Sequence, residues 1–137
     1  MRTNPAPAER VHKLPTSRVP SRLVQLRKVL ILAREEVVAA LLGLLVELSG
    51  FEPYFVGEGE SAPDVVKRGH HGIVIIDCDH ADCGDTLIES IKQAGATPIL
   101  FSPFRLEGEL QSTARRYGTN SFTLPTDLEK FSQLLGV

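Results

Sequence analysis

The chain has 137 residues, enough for one domain with a single core, and its 42% hydrophobic and 23% charged residues are an ordinary globular composition. No run reaches the roughly 20 apolar residues that a membrane helix needs, because Val37–Leu48 is interrupted by Gly43 and Glu47. Two cysteines are too few for a secreted disulfide scaffold and no apolar signal segment follows Met1, so the expected compartment is the cytoplasm.

The net charge of −2 conceals an asymmetry: residues 1–28 carry seven Lys/Arg against one acid, Glu9, and the remainder carries eight bases against sixteen acids. Residues 1–27 hold Pro5, Pro7, Pro15 and Pro20 among Arg, Ser and Thr, and read as a flexible arm preceding one domain over 28–137. The arm reads as a solvated extension, a basic tether to an anionic surface, or an Arg-rich organellar leader. The acidic body argues against nucleic-acid binding by the domain itself.

Lys28–Ala33 reads as a first strand, apolar on both faces, with its core at 29–33. Glu35–Ser49 reads as a helix: Glu35 and Glu36 suit its N-terminus, and Val37/Val38, Leu41/Leu42, Leu45 and Leu48 recur at helical spacing before Gly50. Pro53–Val56 is a second strand. Ser61 with Asp64 reads as a capping box and Pro63 fits the first turn of a short helix ending near Gly69. His70 and His71 lead into Gly72-Ile-Val-Ile-Ile-Asp77, whose four β-branched residues suit a strand covered on both faces. Asp85 or Thr86 caps a helix closed by Gly95, 98–101 is the fourth strand, and Arg105–Tyr117 is a helix with Leu106, Leu110, Ala114 and Tyr117 on one face. Ser121–Leu124 is a fifth strand before Pro125, and Thr126-Asp127-Leu128-Glu129 caps an amphipathic last helix. Five strands alternating with five helices predict a doubly wound α/β fold with a parallel sheet. No GxGxxG or GxxxxGK[ST] phosphate loop is present.

An Asp closing a central parallel strand is a site candidate, because ligands bind beyond the carboxyl ends of such strands; the alternative is a turn-capping Asp. In this order of elements, with Gly72–Asp77, Pro98-Ile-Leu-Phe-Ser102 and Leu48-Ser-Gly-Phe51 as local matches, the sequence resembles the receiver domain of two-component response regulators. The resemblance covers residues 28–137 and implies a flavodoxin-like five-stranded sheet of order 2-1-3-4-5. It implies that Asp77 is the phosphoacceptor position and Ser102 the phosphoryl-contacting hydroxyl. Ala33 and Arg34 stand where the family carries an acidic pair for Mg²⁺, Leu124 stands where it carries a Lys, and Ser121 where it carries an aromatic. Glu35 or Glu36 substitutes for the acids if the loop shifts by one residue. Phosphoryl transfer depends on positioning and on charge neutralisation by Mg²⁺ and cations, which Leu124 cannot supply. The expectation is a degenerate receiver with no required cofactor; Mg²⁺ enters only if Asp77 is phosphorylated. Arg34 is expected either to pair with Asp77 in place of a metal or to point into solvent.

Asp77-Cys78-Asp79-His80-Ala81-Asp82-Cys83-Gly84-Asp85 concentrates acids, thiols and an imidazole. Cys78, His80 and Cys83, with His70 or His71 nearby, are weak candidates for a transition-metal or redox site; the alternative is a solvated acidic loop whose thiols pack as small apolar groups. Three functions follow: a signalling module acting through a protein partner, a residually phosphorylatable receiver, and a metal- or redox-responsive protein. The resemblance implies a kinase, another receiver or an effector as partner, bound through the fourth and fifth helices; a homodimer is a further expectation. No nucleophile–base pair or cofactor motif marks an enzyme.

Overall fold

The computed structural model describes residues 27–103, 105–124 and 128–136. The proline-containing arm, save Arg27, and the Thr126–Asp127 part of the last capping box lie outside the described residues. In chain order the elements are β1 (Lys28–Leu32), α1 (Glu36–Leu48), β2 (Glu52–Phe55), α2 (Ala62–Lys67), β3 (Ile73–Asp77), α3 (Asp85–Gln93), β4 (Thr97–Ser102), α4 (Glu107–Tyr117), β5 (Asn120–Thr123) and α5 (Leu128–Leu134). All strand pairs are parallel, and the sheet order is β2-β1-β3-β4-β5, the 2-1-3-4-5 order expected from the sequence.

The strands alternate their side chains between two apolar layers. Leu30, Leu32, Val74, Ile76 and Leu100 face a core completed by α2, α3 and α4, through residues such as Val66, Ile91 and Leu110. Val29, Ile31, Ile73, Ile75, Ile99 and Phe101 face a second core, completed by Leu42 and Val46 of α1 and Phe131 of α5. The β-branched run therefore serves both layers at once, and every residue of β3 is buried. Phe101 stacks on Phe122 with ring centres 5.6 Å apart, and Phe131 meets Phe122 edge-on at 5.3 Å, which ties α5 to the sheet.

Local signals fix the ends of the elements. The Ser61 hydroxyl accepts the Asp64 N–H at 3.3 Å, half of the capping box expected there. Gly118 ends α4 at φ 67, a left-handed conformation that glycine adopts without penalty. Two apolar assignments need correction. Leu106 was expected on the buried face of α4, but the helix begins at Glu107 and Leu106 lies largely exposed in the extended residue before it. In α1 the sheet-facing residues are Leu42, Gly43 and Val46, while Val37, Leu41 and Leu48 are exposed. Gly43 is buried because Phe55 lies across it: a Cβ at this position would sit 3.0 Å from Phe55 Cζ.

Phe131→Ala is expected to lower unfolding free energy by about 3–5 kcal/mol, as for a fully buried aromatic, whereas Leu106→Ala changes it by under about 0.5 kcal/mol. Urea unfolding of the two variants checks the contrast.

Candidate functional site at the carboxyl edge of the sheet

β3 ends in Asp77 and β4 in Ser102. The register pairs Asp77 with Phe101, and the Cys78 N–H donates to the Phe101 carbonyl at 2.9 Å, which carries the ladder one step past the strand. Asp77 and Ser102 thus close adjacent strands, each only 1% exposed. The buried carboxylate is held by its own loop: Asp77 Oδ1 accepts the Asp79 N–H at 2.9 Å, and the Asp77 carbonyl accepts the His80 N–H at 2.9 Å. This is the side-chain turn that Asp forms readily, so Asp77 does cap a turn as well as ending the central strand.

Arg105, which sequence reasoning did not single out, joins this loop to the one after β4. Its backbone N–H donates to Ser102 Oγ at 2.9 Å. Its guanidinium donates to Asp79 Oδ1 through Nη2 at 2.7 Å and Nε at 3.2 Å. A continuous set of contacts therefore runs Ser102–Arg105–Asp79–Asp77. The hydrogen bond to Asp79 raises the Arg105 pKa further above its ordinary value. The pair is partly solvated and is worth only about 0–1 kcal/mol, so it fixes geometry more than stability. The signals that could have revealed it are short: Asp79 stands two residues after Asp77, and Arg105 three after Ser102.

The suggested Arg34–Asp77 pair does not form. Arg34, Glu35 and Glu36 are exposed, Ala33 is partly buried, and no ion pair among the described residues involves Arg34. Arg34 and Glu36 line a shallow cleft with Phe55, Val56 and His80. A guanidinium brought against the buried Asp77 would lose its water for an oxygen already bonded to backbone, whereas Asp79 offers a carboxylate at the surface. Leu124 follows β5 and packs on the α1/α5 core, so it brings no charge to the edge.

Cys78 and Cys83 are free and half-buried against the α2–α4 core. Burial is the main cause that pushes both thiols up, with Asp77 and Asp79 nearby adding to it; Cys83 is raised to about 11. Neutral thiols are poor nucleophiles and poor metal ligands. Cys78, His80 and Cys83 do not converge on one point: the gathered donors among the described residues are Asp77, Cys78 and Asp79, with ligand atoms within 4.8 Å of one another. His80 Nδ1 instead accepts the Asp82 N–H at 3.1 Å. His70 and His71 stand at the amino end of β3, the opposite edge of the sheet from this loop. His71 is half-buried with its ring edge-on to Tyr54 at 5.1 Å.

This donor set does not fit Mg²⁺, which needs several oxygen ligands in a near-octahedral shell. Asp77 Oδ1 is engaged by backbone, Asp79 is engaged by Arg105, the third donor is a protonated thiol, and Glu35 and Glu36 after β1 are exposed and outside the gathered set.

Cys83 should alkylate slowly. At neutral pH a thiol at about 11 holds roughly a hundredfold less thiolate than an ordinary one at 9.0, and the iodoacetamide rate mapped by mass spectrometry should fall accordingly. Because the folded value is raised, stability from keeping Cys83 neutral is complete below about pH 9 and falls as pH rises toward 11. Labelling of the native protein as fast as of the unfolded chain would contradict this.

No family model matches the chain, and no curated protein matches it. Solved structures do. The receiver domain of a sensor histidine kinase from Pseudomonas aeruginosa, which holds a magnesium ion in its active-site cleft, superposes with a TM-score of 0.64 at 16% identity, over 79% of this chain and 93% of that one. A response regulator from Thermotoga maritima gives 0.64 at 14% identity, over 80% and 98%. A pilus assembly-related protein from Burkholderia pseudomallei gives 0.58 at 21% identity, over 81% and 88%. With its 2-1-3-4-5 parallel sheet and these likenesses, the chain has the fold of response-regulator receiver domains.

Proposed function

We propose that the chain is an atypical receiver module that acts in signal transduction through contacts with a protein partner, without a standard aspartyl-phosphate switch. The observation that carries this reading is the Arg105–Asp79 ion pair beside Asp77. Receivers hold several acids together and use a divalent cation to offset their repulsion. Here a guanidinium from the β4–α4 loop already neutralises Asp79, the first acid of the β3–α3 loop. The same contacts tie Ser102 to that loop, so the two groups that would respond to a phosphoryl are held in one arrangement.

The substitutions at the other key positions agree with this reading. Ala33 and Arg34 offer no carboxylate and Leu124 no ammonium, so an aspartyl phosphate would lack most of the charge that stabilises it. The module would be non-enzymatic and cytoplasmic, and its partner a kinase, another receiver or an effector. No helix among the described residues is long and apolar enough to cross a membrane. The second reading, a residually phosphorylatable receiver, is favoured by one observation: Asp77 and Ser102 end adjacent strands in the arrangement the resemblance implies.

Acetyl phosphate with Mg²⁺ separates the two. Intact-mass analysis of the wild-type chain is expected to show no gain of one phosphoryl group, while Ala33→Asp/Arg34→Asp/Leu124→Lys gains it at Asp77. Efficient Mg²⁺-dependent labelling of wild type, abolished by Asp77→Ala, would restore the ordinary phosphorylated switch.

A further inference from the structure

The cleft beside Arg34 lies at the carboxyl ends of β1 and β2, and His80 reaches it from the β3–α3 loop. The chain lays β2 on one side of β1 and then crosses to lay β3 on the other. Open parallel sheets bind small ligands outside the strand ends at such a crossing point. The cleft volume is about 540 Å³, within the roughly 300–1,000 Å³ of small-molecule sites. Leu32, Val56 and the half-exposed Phe55 give it apolar walls. Ala33, Ala39 and Ala40 line it with nothing larger than a methyl group, which leaves the space open.

Three polar side chains join these walls. Arg34 and Glu36 carry opposite charges and line the same cleft, yet among the described residues neither forms an ion pair, with the other or elsewhere. His80 brings one donor: its Nδ1 accepts the Asp82 N–H at 3.1 Å, which leaves the ring proton on Nε2. Ala33 and Arg34 stand where the receiver resemblance expects acids for Mg²⁺, so space and a cation replace two negative charges.

An unpaired cation and an unpaired anion beside apolar walls match a ligand that carries both charges on an apolar body. We infer that the cleft binds an apolar α-amino acid. The Arg34 guanidinium takes the carboxylate through parallel N–H donors, with His80 Nε2–H as a further donor. Glu36 takes the ammonium. The side chain covers Phe55 and Val56 and removes them from water. A simple acid would leave Glu36 facing the ligand without a counter-charge, and a simple amine would do the same to Arg34. The His80 N–H also donates to the Asp77 carbonyl at 2.9 Å, so a ligand on the His80 ring bears on the loop that carries Asp77 and Asp79. Binding does not require that Asp77 be phosphorylated or not, so amino-acid titration and acetyl phosphate labelling can fail separately.

The test is titration of the full ¹⁵N-labelled chain with L-phenylalanine and L-leucine, read by amide chemical shifts. Saturable shifts are expected around residues 33–40, 55–56 and 80, with a Kd at or below about 1 mM. 3-Phenylpropionate, 2-phenylethylamine and glycine lack the ammonium, the carboxylate and the apolar body in turn, and each should bind about tenfold more weakly or worse. Arg34→Gln should weaken L-phenylalanine about tenfold or more, and Glu36→Gln should remove the preference over 3-phenylpropionate. Ala40→Phe, at an exposed position, should abolish binding by filling the cleft while leaving the circular dichroism spectrum unchanged. Absence of saturable shifts with both amino acids, 3-phenylpropionate binding as tightly as L-phenylalanine, or binding unchanged in Arg34→Gln overturns the inference. Should Ala40→Phe fail to fold, the two charge variants at exposed positions decide.

Discussion

β3 is buried on both faces, and this determines what the ends of the sheet must do. Ile73–Ile76 divide their side chains between two apolar layers, so no polar group can lie within the strand without losing its water. The first carboxylate comes at the last residue, Asp77, still 1% exposed. Its satisfaction has to come from the loop that follows, and the Asp79 N–H supplies it. The turn that results aims the Asp79 carboxylate at the loop after β4, where Arg105 meets it. Strand burial thus leads to the turn, and the turn to the cross-loop ion pair.

The geometry of the edge and its charge have separate origins. The backbone arrangement of Asp77 and Ser102 is a property of the parallel sheet and its register. The charge balance is a property of three or four side chains on loops, which the sheet does not constrain. A fold of this kind keeps its geometry whatever charges its edge loops carry, because those side chains carry little of the packing. Leu124, just after β5, packs against the α1/α5 core.

The same distinction separates what the sequence made legible from what it did not. The strands were legible because short apolar runs between turn signals admit few other readings, and their order because the resemblance to receiver domains implies it. Strand limits differed by a residue, since apolar runs carry no mark at their ends. The phase of α1 was not legible: residues 37–46 are apolar on every side, so periodicity cannot say which stripe meets the sheet, and the recurring set mixes exposed Val37, Leu41 and Leu48 with buried Leu42. Arg105–Asp79 was missed for another reason. The residues are 26 apart, and their meeting depends on the conformations of two loops, for which no periodic pattern exists. The thiol pair was legible as residues but not as chemistry, because burial, which raises both pKa values, is decided by tertiary packing.

The position of α1 links its exposed face to the fold that carries it. On its inner side Leu42 and Val46 meet the sheet, and Ser49 Oγ lies 2.8 Å from Ser132 Oγ of α5, so the helix is held without help from its outer side. Removing water from Val37, Leu41, Leu44 and Leu48 is therefore not needed for the fold, yet four large apolar side chains in one seam have no role in solubility. Edge strand β2 adds Phe55 to the same surface, while its exposed Glu52 and its Pro53 protect the other end of the edge. Phe55 and the outer face of α1 thus form one exposed apolar surface, while acids gather on the loops at the carboxyl edge. The chain thus separates the surface built for burial from the surface built for charge, and a partner that covers the first leaves the second open.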